Sequence, residues 1–352
     1  MAKKIKINKD SIIQPHEEEL FRIRAKLEVT DAEKRELNKT INYWKAVAQR
    51  RADELEVALA IKKRTRPLII RAKQIKGKSE TVAMPVAVDW HVSEQVDKEI
   101  MNELNEVNLG IDDKRIRAFF RNSLRVINLW RAGTTINKML FAILGDIIHG
   151  YIHEEFIEDN FMSPTQGVLW VQERLIAGIE FWLDEGKFEK IDIVCCIGNH
   201  GRTTQKPRIS TAYKNSFEWL MYNELANIFR HKNETRVEFF ISKGYHYYAK
   251  VFGRDIRFHH GDNIRYGGGV GGISIPVNKA IDKWNKARTA YLDIFGHWHQ
   301  YIDHGKWVSC PCLIGYNPYA ISIKAEYEPP AQSVVFIEKE LGKTGALPVF
   351  LK

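Results

Sequence analysis

Five short polar clusters, each placed directly after an apolar run, leave this 352-residue chain few compatible folds. The clusters read DWH (89–91), GDIIH (145–149), GNH (198–200), HHGD (259–262) and GHWH (296–299). They contain seven of the chain's 12 histidines, so the imidazoles are concentrated rather than scattered. Because open α/β sheets carry their sites at the carboxyl ends of strands, the pattern predicts a site built from the loops that follow these strands.

Residues 80–352 alternate short apolar runs with amphipathic stretches, which predicts strands and helices in turn. The strand candidates are residues 84–88, 138–144, 191–197, 236–241, 246–252, 256–259, 291–295 and 333–337. The helix candidates are residues 112–130, 168–185, 213–230 and 276–288. The first half alternates strand and helix and the second half is rich in strands. We therefore expect a layered α/β fold with mixed sheets covered by helices.

The net charge of +9 is confined to the N-terminal part of the chain. Residues 1–80 contain 21 Lys and Arg against 12 Asp and Glu, whereas residues 81–352 are balanced. Eight of these bases lie in a run at 62–66 and in further lysines and arginines up to residue 78. They form either a solvated face or a surface that contacts phosphate groups. We predict a basic helical extension over residues 1–65 and a separate domain over 66–352.

The extension has a helical pattern with two start signals. Pro15 is followed by three glutamates, and Thr30 precedes Glu33 at the spacing of a capping box. Alternate steps of three and four residues from Leu20 to Ala58 reach twelve positions, of which nine are apolar, as in a heptad stripe. The two start signals favour a helical pair or hairpin packed on its own chain. A coiled-coil dimer is the alternative.

The residue types in the five clusters predict a metal centre. Carboxylate, amide and imidazole groups together suit Mn, Fe, Zn or similar ions. Asp89 and His91 are two residues apart, so on an extended backbone both side chains point the same way and chelate one ion; His297 and His299 repeat this spacing. The four cysteines form no CxxC pair and are expected to be packed thiols, which disfavours a structural zinc site.

The five motifs, intact and in this order, resemble the signature of the calcineurin-like metallophosphoesterase superfamily. The resemblance covers residues 84 to about 300 and leaves residues 1–80 outside. It implies two mixed β-sheets flanked by helices, and a catalytic domain with a two-metal centre. The implied ligands are Asp89, His91 and His299 for the first ion, Asn199, His260 and His297 for the second, and Asp146 as the bridge between them. Of the adjacent pair His259 and His260, the pattern favours the residue before the glycine, and His259 is expected to pack on the other face.

The same resemblance implies hydrolysis of a phosphate ester, with His200 as the general acid that protonates the leaving alkoxide. His149 stands at a position found in the Mre11-type nucleases of the superfamily and is either an active-site residue or a turn cap. Arg202 either binds a phosphate oxygen or is structural. The chain is also similar to bacteriophage-encoded phosphoesterases of the DNA-repair-exonuclease type. We expect a phosphodiesterase or nuclease acting on DNA; the alternatives are a phosphatase or cyclic-nucleotide phosphodiesterase with a small substrate, and a non-catalytic binding scaffold.

The expected cofactors are two divalent ions, with Mn preferred over Fe, Zn, Mg and Ni. The expected partner is DNA, bound through the basic N-terminal segment, and a homodimer through the N-terminal helices is a further expectation. The sequence contains neither a stretch of about 18 uncharged apolar residues nor a secretory signal pattern. We therefore expect no membrane association and a cytoplasmic location, in the host cell for a phage protein.

Overall fold

The computed structural model describes residues 10–62, 79–266 and 271–352. The chain divides into two units, Met1–Gln74 and Ile75–Lys352. The basic residues predicted to contact phosphate, at 63–78, lie outside the described residues, as do residues 1–9. The boundary expected after residue 65 also falls there and stays a prediction.

The first unit is described as one continuous helix, α1 (Asp10–Lys62). The predicted helical pair is therefore wrong, because α1 runs through both expected start signals. The Thr30 hydroxyl does not cap a new helix; it donates to the carbonyl oxygens of Lys26 at 2.7 Å and Leu27 at 3.0 Å, one turn back in the same helix. No glycine or proline follows before Lys62, so nothing interrupts the backbone hydrogen bonds.

The second unit is a layered α/β structure. Its described strands are β1 (Thr81–Ala87), β2 (Lys138–Ile143), β3 (Lys190–Cys195), β4 (Val237–Ile241), β5 (Tyr247–Val251), β6 (Arg254–Phe258), β7 (Leu292–Phe295), β8 (Ile302–Asp303), β9 (Trp307–Ser309), β10 (Ala331–Glu338) and β11 (Gly342–Phe350). Its described α-helices are α2 (Leu109–Arg131), α3 (Glu155–Glu158), α4 (Pro164–Glu185), α5 (Phe217–His231), α6 (Ser274–Asn285) and α7 (Pro318–Ile323).

The strands form two mixed sheets. The six-stranded sheet has the order β11-β10-β1-β2-β3-β4, and the five-stranded sheet has the order β5-β6-β7-β9-β8. In the first sheet β1, β2, β3 and β4 are parallel, while β10 runs antiparallel to β1 and β11 antiparallel to β10. In the second sheet β6, β7 and β9 are parallel and the two outer strands are antiparallel to them. The expectation of two mixed sheets flanked by helices is confirmed.

Successive side chains of β1 pack alternately into two hydrophobic cores, one on each face of the first sheet. Ala83 and Ala87 belong to a core that the first sheet shares with α2, α4 and α5. Met84 and Val86 belong instead to a core between the two sheets, where they meet β6 and β7. The side chains of successive strand residues point to opposite faces, so one strand serves both cores. The other side of the second sheet packs on α6.

The elements that sequence patterns missed are short or irregular. Neither β8 nor β9 has more than three residues, and α3 and α7 have four and six. The longer β11 contains two glycines and Pro348, residues that argue against a strand interior. Pro348 is tolerated because β11 lies at the edge of its sheet.

Across residues 10–62, 79–266 and 271–352, none of the helices combines the length and apolar character needed to cross a bilayer.

Candidate metal centre

The five polar clusters follow five strands and meet between the two sheets. DWH, GDIIH and GNH come directly after β1, β2 and β3 of the first sheet, and HHGD and GHWH follow β6 and β7 of the second. Because these strands are parallel within each sheet, their carboxyl ends lie at the same edge. The structure therefore brings residues more than 200 positions apart in the chain into contact.

The first group of candidate ligands comprises Asp89, His91 and His299, whose ligand atoms lie within 4.8 Å of one another. The Nε2 atoms of His91 and His299 are 3.1 Å apart. Asp89 Oδ1 lies 4.0 Å from Nε2 of His91 and 3.9 Å from Nε2 of His299. All three side chains are buried. The set matches the residues expected for the first ion.

The second group comprises Asp146, His260 and His297, again with ligand atoms within 4.8 Å. His260 Nε2 lies 2.9 Å from Asp146 Oδ2 and 3.9 Å from Asp89 Oδ1, so it adjoins both groups. The other ring nitrogen, Nδ1, lies 2.9 Å from the carbonyl oxygen of Leu144. This contact leaves Nε2 as the atom that faces the centre.

Several buried atoms at the centre have no hydrogen-bond partner among the described residues. They are Asp89 Oδ1, His91 Nδ1, Asn199 Oδ1 and His299 Nδ1. A buried polar atom without a partner costs about 1–3 kcal/mol, and such atoms in native proteins call for an explanation. Oxygen and imidazole donors are also the ligands that first-row divalent ions accept. The residues present thus fit a pair of divalent cations, and Asn199 lies in the chain between Gly198 and His200, which both adjoin Asp146.

The ionisation of the histidines agrees with a ligand role. Burial lowers the pKa of His91 well below its ordinary value and lowers the pKa values of His297 and His299 to about 3, so these imidazoles are neutral at pH 7. Burial also lowers the pKa of His260, but the carboxylates of Asp146 and Asp89 outweigh it and raise that pKa well above normal. A bound cation would compete with this proton.

The two carboxylates have pKa values shifted in opposite directions. Burial raises the pKa of Asp89 well above its ordinary value. Burial acts in the same direction on Asp146, but the neighbouring imidazoles of His260 and His200 reverse the effect and lower its pKa well below normal. Asp146 is therefore the more strongly anionic of the two, as suits a residue between two cations.

The backbone at these positions contradicts one expectation. Asp89, His91, Asp146, His297 and His299 all have positive φ angles, of 51°, 47°, 50°, 72° and 55°. The assumption of an extended backbone, with residues two apart pointing the same way, is therefore wrong. His297 and His299 belong to different groups rather than chelating one ion. Non-glycine residues in this conformation are strained, and such strain is concentrated at functional sites.

Short contacts hold these strained loops in place. The His297 amide donates to Asp89 Oδ2 at 2.6 Å, which ties a loop of the second sheet to a loop of the first. Gly198 packs so closely that a Cβ there would lie 2.1 Å from Asp146 Oδ1. A Cβ at Gly296 would lie 2.4 Å from Asp89 Oδ2. The motif glycines are therefore needed because the carboxylates occupy the space beside them.

His200 lies at the edge of the centre and is partly accessible. Its amide donates to Asp146 Oδ1 at 2.7 Å, and its Nδ1 lies 2.8 Å from the carbonyl oxygen of His149. Because a carbonyl only accepts, Nδ1 carries the proton of the neutral ring and Nε2 is left free. Nε2 lies 3.9 Å from Asp146 Oδ2, and the side chain is 14% exposed. Burial lowers the pKa of His200 to about 4.

His149 is buried behind the centre rather than at a turn on the surface. Its Nδ1 lies 3.2 Å from Glu94 Oε2 and its Nε2 3.3 Å from Asp159 Oδ1. Burial lowers the pKa of His149, but these two carboxylates outweigh it and raise the pKa above its ordinary value. A ligand atom of His149 also lies within 4.8 Å of ligand atoms of His91 and His200. The carbonyl oxygen of His149 supports the ring of His200.

Arg202 holds its own loop together. Its guanidinium donates to the carbonyl oxygens of Asn199 at 2.8 Å, Thr204 at 3.0 Å and Gln205 at 3.4 Å. These contacts correspond to the structural alternative, and the phosphate-binding role stays a prediction. His259 stacks on Phe295, with ring centroids 4.9 Å apart, and its Nε2 lies 3.6 Å from Oδ1 of Asp293 on β7. It thus packs as expected.

Sequence patterns gave no sign of Glu218, a fully buried carboxylate on α5. Its Oε1 accepts from the amide of Ile147 at 2.6 Å and its Oε2 from the amide of Gly198 at 2.8 Å. Burial raises its pKa to about 7. One side chain therefore joins the loops that carry Asp146 and Asn199. An acid in the first turn of a helix is common for electrostatic reasons alone, which is why the sequence did not single it out.

A cleft of about 1040 Å³ opens beside the second group of ligands. The residues that line it include His297, Trp298, Tyr319, the basic Arg265 and Lys324, and the acidic Asp262, Glu326 and Glu328. Tyr319 is 44% exposed, and its ring centroid lies 5.8 Å from that of His299. The cleft therefore offers an aromatic surface and charged side chains of both signs next to the candidate metal centre.

Comparisons with known proteins find similarity only at the level of solved structures. No protein-family model matches the chain, and no curated protein sequence matches it significantly.

The solved structures that match include an archaeal phosphodiesterase, with 11% identity, a TM-score of 0.32, and coverage of 76% of this chain and 99% of the other. Vps29 from Entamoeba histolytica complexed with Zn²⁺ has 11% identity, a TM-score of 0.26 and coverages of 77% and 99%. The sulfate thiohydrolase SoxB from Thermus thermophilus has 9% identity, a TM-score of 0.31 and coverages of 80% and 58%. At these values the likeness assigns no activity, and the function of this chain has to be argued from its own site.

Proposed function

We propose that this protein is a metal-dependent phosphoesterase that cleaves phosphodiesters, with DNA as its substrate. The observation that carries the proposal is the pair of adjoining ligand groups, one around Asp89 and one around Asp146, with the Nε2 atom of His200 3.9 Å from Asp146. This arrangement accommodates two divalent cations, with manganese the preferred metal. Bound there, they would lower the pKa of a water molecule and neutralise the phosphoryl oxygens.

In this proposal the chain's own residues position the substrate and move the proton. The carbonyl oxygen of His149 holds the Nδ1 proton of His200 and thereby directs Nε2 towards the centre. The negative charge of a bound phosphodiester favours the imidazolium form of His200 and opposes the lowering of its pKa by burial. Nε2 then donates a proton to the leaving alkoxide.

The preference for a nucleic acid rests on the charge distribution and on the cleft. The excess positive charge lies entirely in residues 1–80, as in proteins with a basic appendage that binds polyanions. The cleft beside His297 has room for more than a phosphate group, and Tyr319 offers a ring on which a base can stack. A phosphatase or cyclic-nucleotide phosphodiesterase would use the same centre without the basic segment.

A panel of substrates with Mn²⁺, Mg²⁺ and Zn²⁺ in turn tests the proposal. We expect hydrolysis of bis-p-nitrophenyl phosphate and of DNA, and little hydrolysis of p-nitrophenyl phosphate. Cleavage of the monoester alone would point to the phosphatase. Protein that stays free of metal in the presence of Mn²⁺, as measured by atomic emission, would leave the binding scaffold as the better hypothesis.

Deleting residues 1–64 is expected to weaken DNA binding and to reduce its salt dependence, because fewer phosphate contacts release fewer counterions. Hydrolysis of bis-p-nitrophenyl phosphate is expected to be unchanged, because the candidate ligands all lie beyond residue 88. The measurement is the slope of binding affinity against salt concentration for both proteins. An unchanged affinity and slope would assign the segment to assembly instead.

A further inference from the structure

The helix α1 carries an apolar stripe that is exposed along its length. Within the described side chains of α1, the large apolar residues of the stripe are 41–61% exposed. They are Leu20, Ile23, Leu27, Leu37, Ile41, Trp44 and Leu55. Their alternate spacing of three and four residues corresponds to the a and d positions of a two-stranded coiled coil. Such a stripe is stable in water only when a partner covers it.

Two charged residues interrupt the stripe, and they decide how a second copy can bind. Lys34 occupies an a position and Arg51 a d position. In a parallel pair, equivalent positions face each other, so Lys34 would meet Lys34 and Arg51 would meet Arg51 in the core. Like charges placed directly opposite each other in a core destabilise the pair.

An antiparallel pair removes both repulsions. With Leu37 of one copy facing Ile41 of the other, Lys34 lies opposite Trp44 and Arg51 lies opposite Leu27. The stem of a lysine packs well against an indole ring, and its ammonium group is attracted to the face of the ring. Each charged core residue thus meets an apolar side chain rather than its own copy.

The residues that flank the stripe are compatible with this orientation. In the same register, Asp31 of one copy lies beside Lys45 of the other, and Lys26 lies beside Glu54. Both contacts occur twice by symmetry, and both join opposite charges, as flanking positions do in specific coiled coils. The flanking charges are complementary in the parallel orientation as well, so the core residues provide the discrimination.

We propose that α1 binds α1 of a second copy of this chain as an antiparallel two-stranded coiled coil. In this register the helix from Ile23 to Leu55 would be about 50 Å long at 1.5 Å per residue, and it provides ten successive core layers. The partner is therefore a second copy in a defined orientation. This proposal does not depend on the reaction that the second unit catalyses.

Single engineered cysteines test the orientation in the full chain. The four native cysteines are all buried, so we do not expect them to form competing disulfides on mild oxidation. Asn38 lies at a flanking position that meets its own copy only in the antiparallel pair, so Asn38→Cys is expected to form a disulfide-linked dimer on mild oxidation. Leu20→Cys meets its own copy only in the parallel pair and is expected to stay unlinked. A linked Leu20→Cys protein, or an Asn38→Cys protein that links no better than Tyr43→Cys off the stripe, would overturn the proposal.

Light scattering of the unmodified protein tests the stoichiometry. We expect twice the chain mass of 40.9 kDa. Leu37→Asp on the stripe is expected to give monomers, whereas Tyr43→Asp, equally exposed but off the stripe, is expected to stay dimeric. Hydrolysis of a small phosphodiester by the Leu37→Asp protein provides a check that the second unit remains folded. A monomeric or trimeric unmodified protein would contradict the proposal even where the phosphoesterase activity is confirmed.

Discussion

Replacing His200 with alanine is expected to lower the turnover of a phosphodiester by about 100- to 10,000-fold, the usual contribution of a general acid. The bound metal is expected to be unchanged, because the amide of His200 donates to Asp146 Oδ1 at 2.7 Å and alanine retains that amide, whereas Nε2 of the ring lies 3.9 Å from Asp146 Oδ2. Turnover and metal content, measured on the same preparation, separate the two effects. His231→Ala, which removes an exposed histidine at the end of α5, is the matched control and is expected to be silent.

The leaving group provides a sharper test of the same role. An alkoxide needs a proton to depart, whereas p-nitrophenolate leaves readily without one. The loss in the His200→Ala protein is therefore expected to be larger for a dinucleotide than for bis-p-nitrophenyl phosphate. Equal losses for both substrates, or a loss of metal in step with the loss of turnover, would remove His200 from the role of general acid.

The second large effect is expected at Gly201, where the Glu218 side chain occupies the space that a Cβ would need. A Cβ at residue 201 would lie 2.6 Å from Glu218 Cγ and 2.9 Å from Cδ. The carboxylate cannot move away without releasing the amides of Ile147 and Gly198. We expect Gly201→Ala to lower metal affinity and turnover about 10- to 100-fold, as loss of a supporting contact around a metal site does. Gly244→Ala, where a Cβ would meet nothing within 4 Å, is the matched control.

A double-mutant cycle shows whether the effect passes through Glu218. Glu218→Ala is also expected to be damaging, because it leaves two buried amide donors without an acceptor, at about 1–3 kcal/mol each. It also removes the atoms with which the new Cβ would collide. The double variant Gly201→Ala/Glu218→Ala is therefore expected to be no worse than Glu218→Ala alone. Additive losses would show that Gly201 acts through something other than this contact.

Much of the candidate site could be predicted because its chemistry is local in sequence. A metal ligand, its strand and its glycine lie within a few residues of one another, so motifs such as GDIIH and GNH carry the residue types directly. The same holds for the strands of the first sheet other than β11, where short apolar runs predict the strand directly. Of the adjacent pair after β6, His260 lies in the second group of candidate ligands, whereas His259 stacks on Phe295.

The wrong expectations concern geometry that depends on distant residues. The positive φ angles at Asp89 and His91 are held by contacts with loops from other strands, and an isolated dipeptide would be expected to be extended. The predicted helical pair is wrong because the local signal at Thr30 is ambiguous. Thr30 has two possible hydrogen-bonding modes, and a local signal cannot tell a cap from a hydroxyl that bonds back to the preceding turn.

The order and residue types of the five motifs are enough to predict an α/β chain with a cluster of candidate oxygen and imidazole ligands, because these properties depend on short segments of sequence. The folded chain alone decided that the ligand motifs adopt positive φ angles, that His149 lies between Glu94 and Asp159, and that Glu218 joins two loops. These features arise where two sheets and a helix meet. A residue's partner there is set by packing between distant segments, which no local pattern encodes.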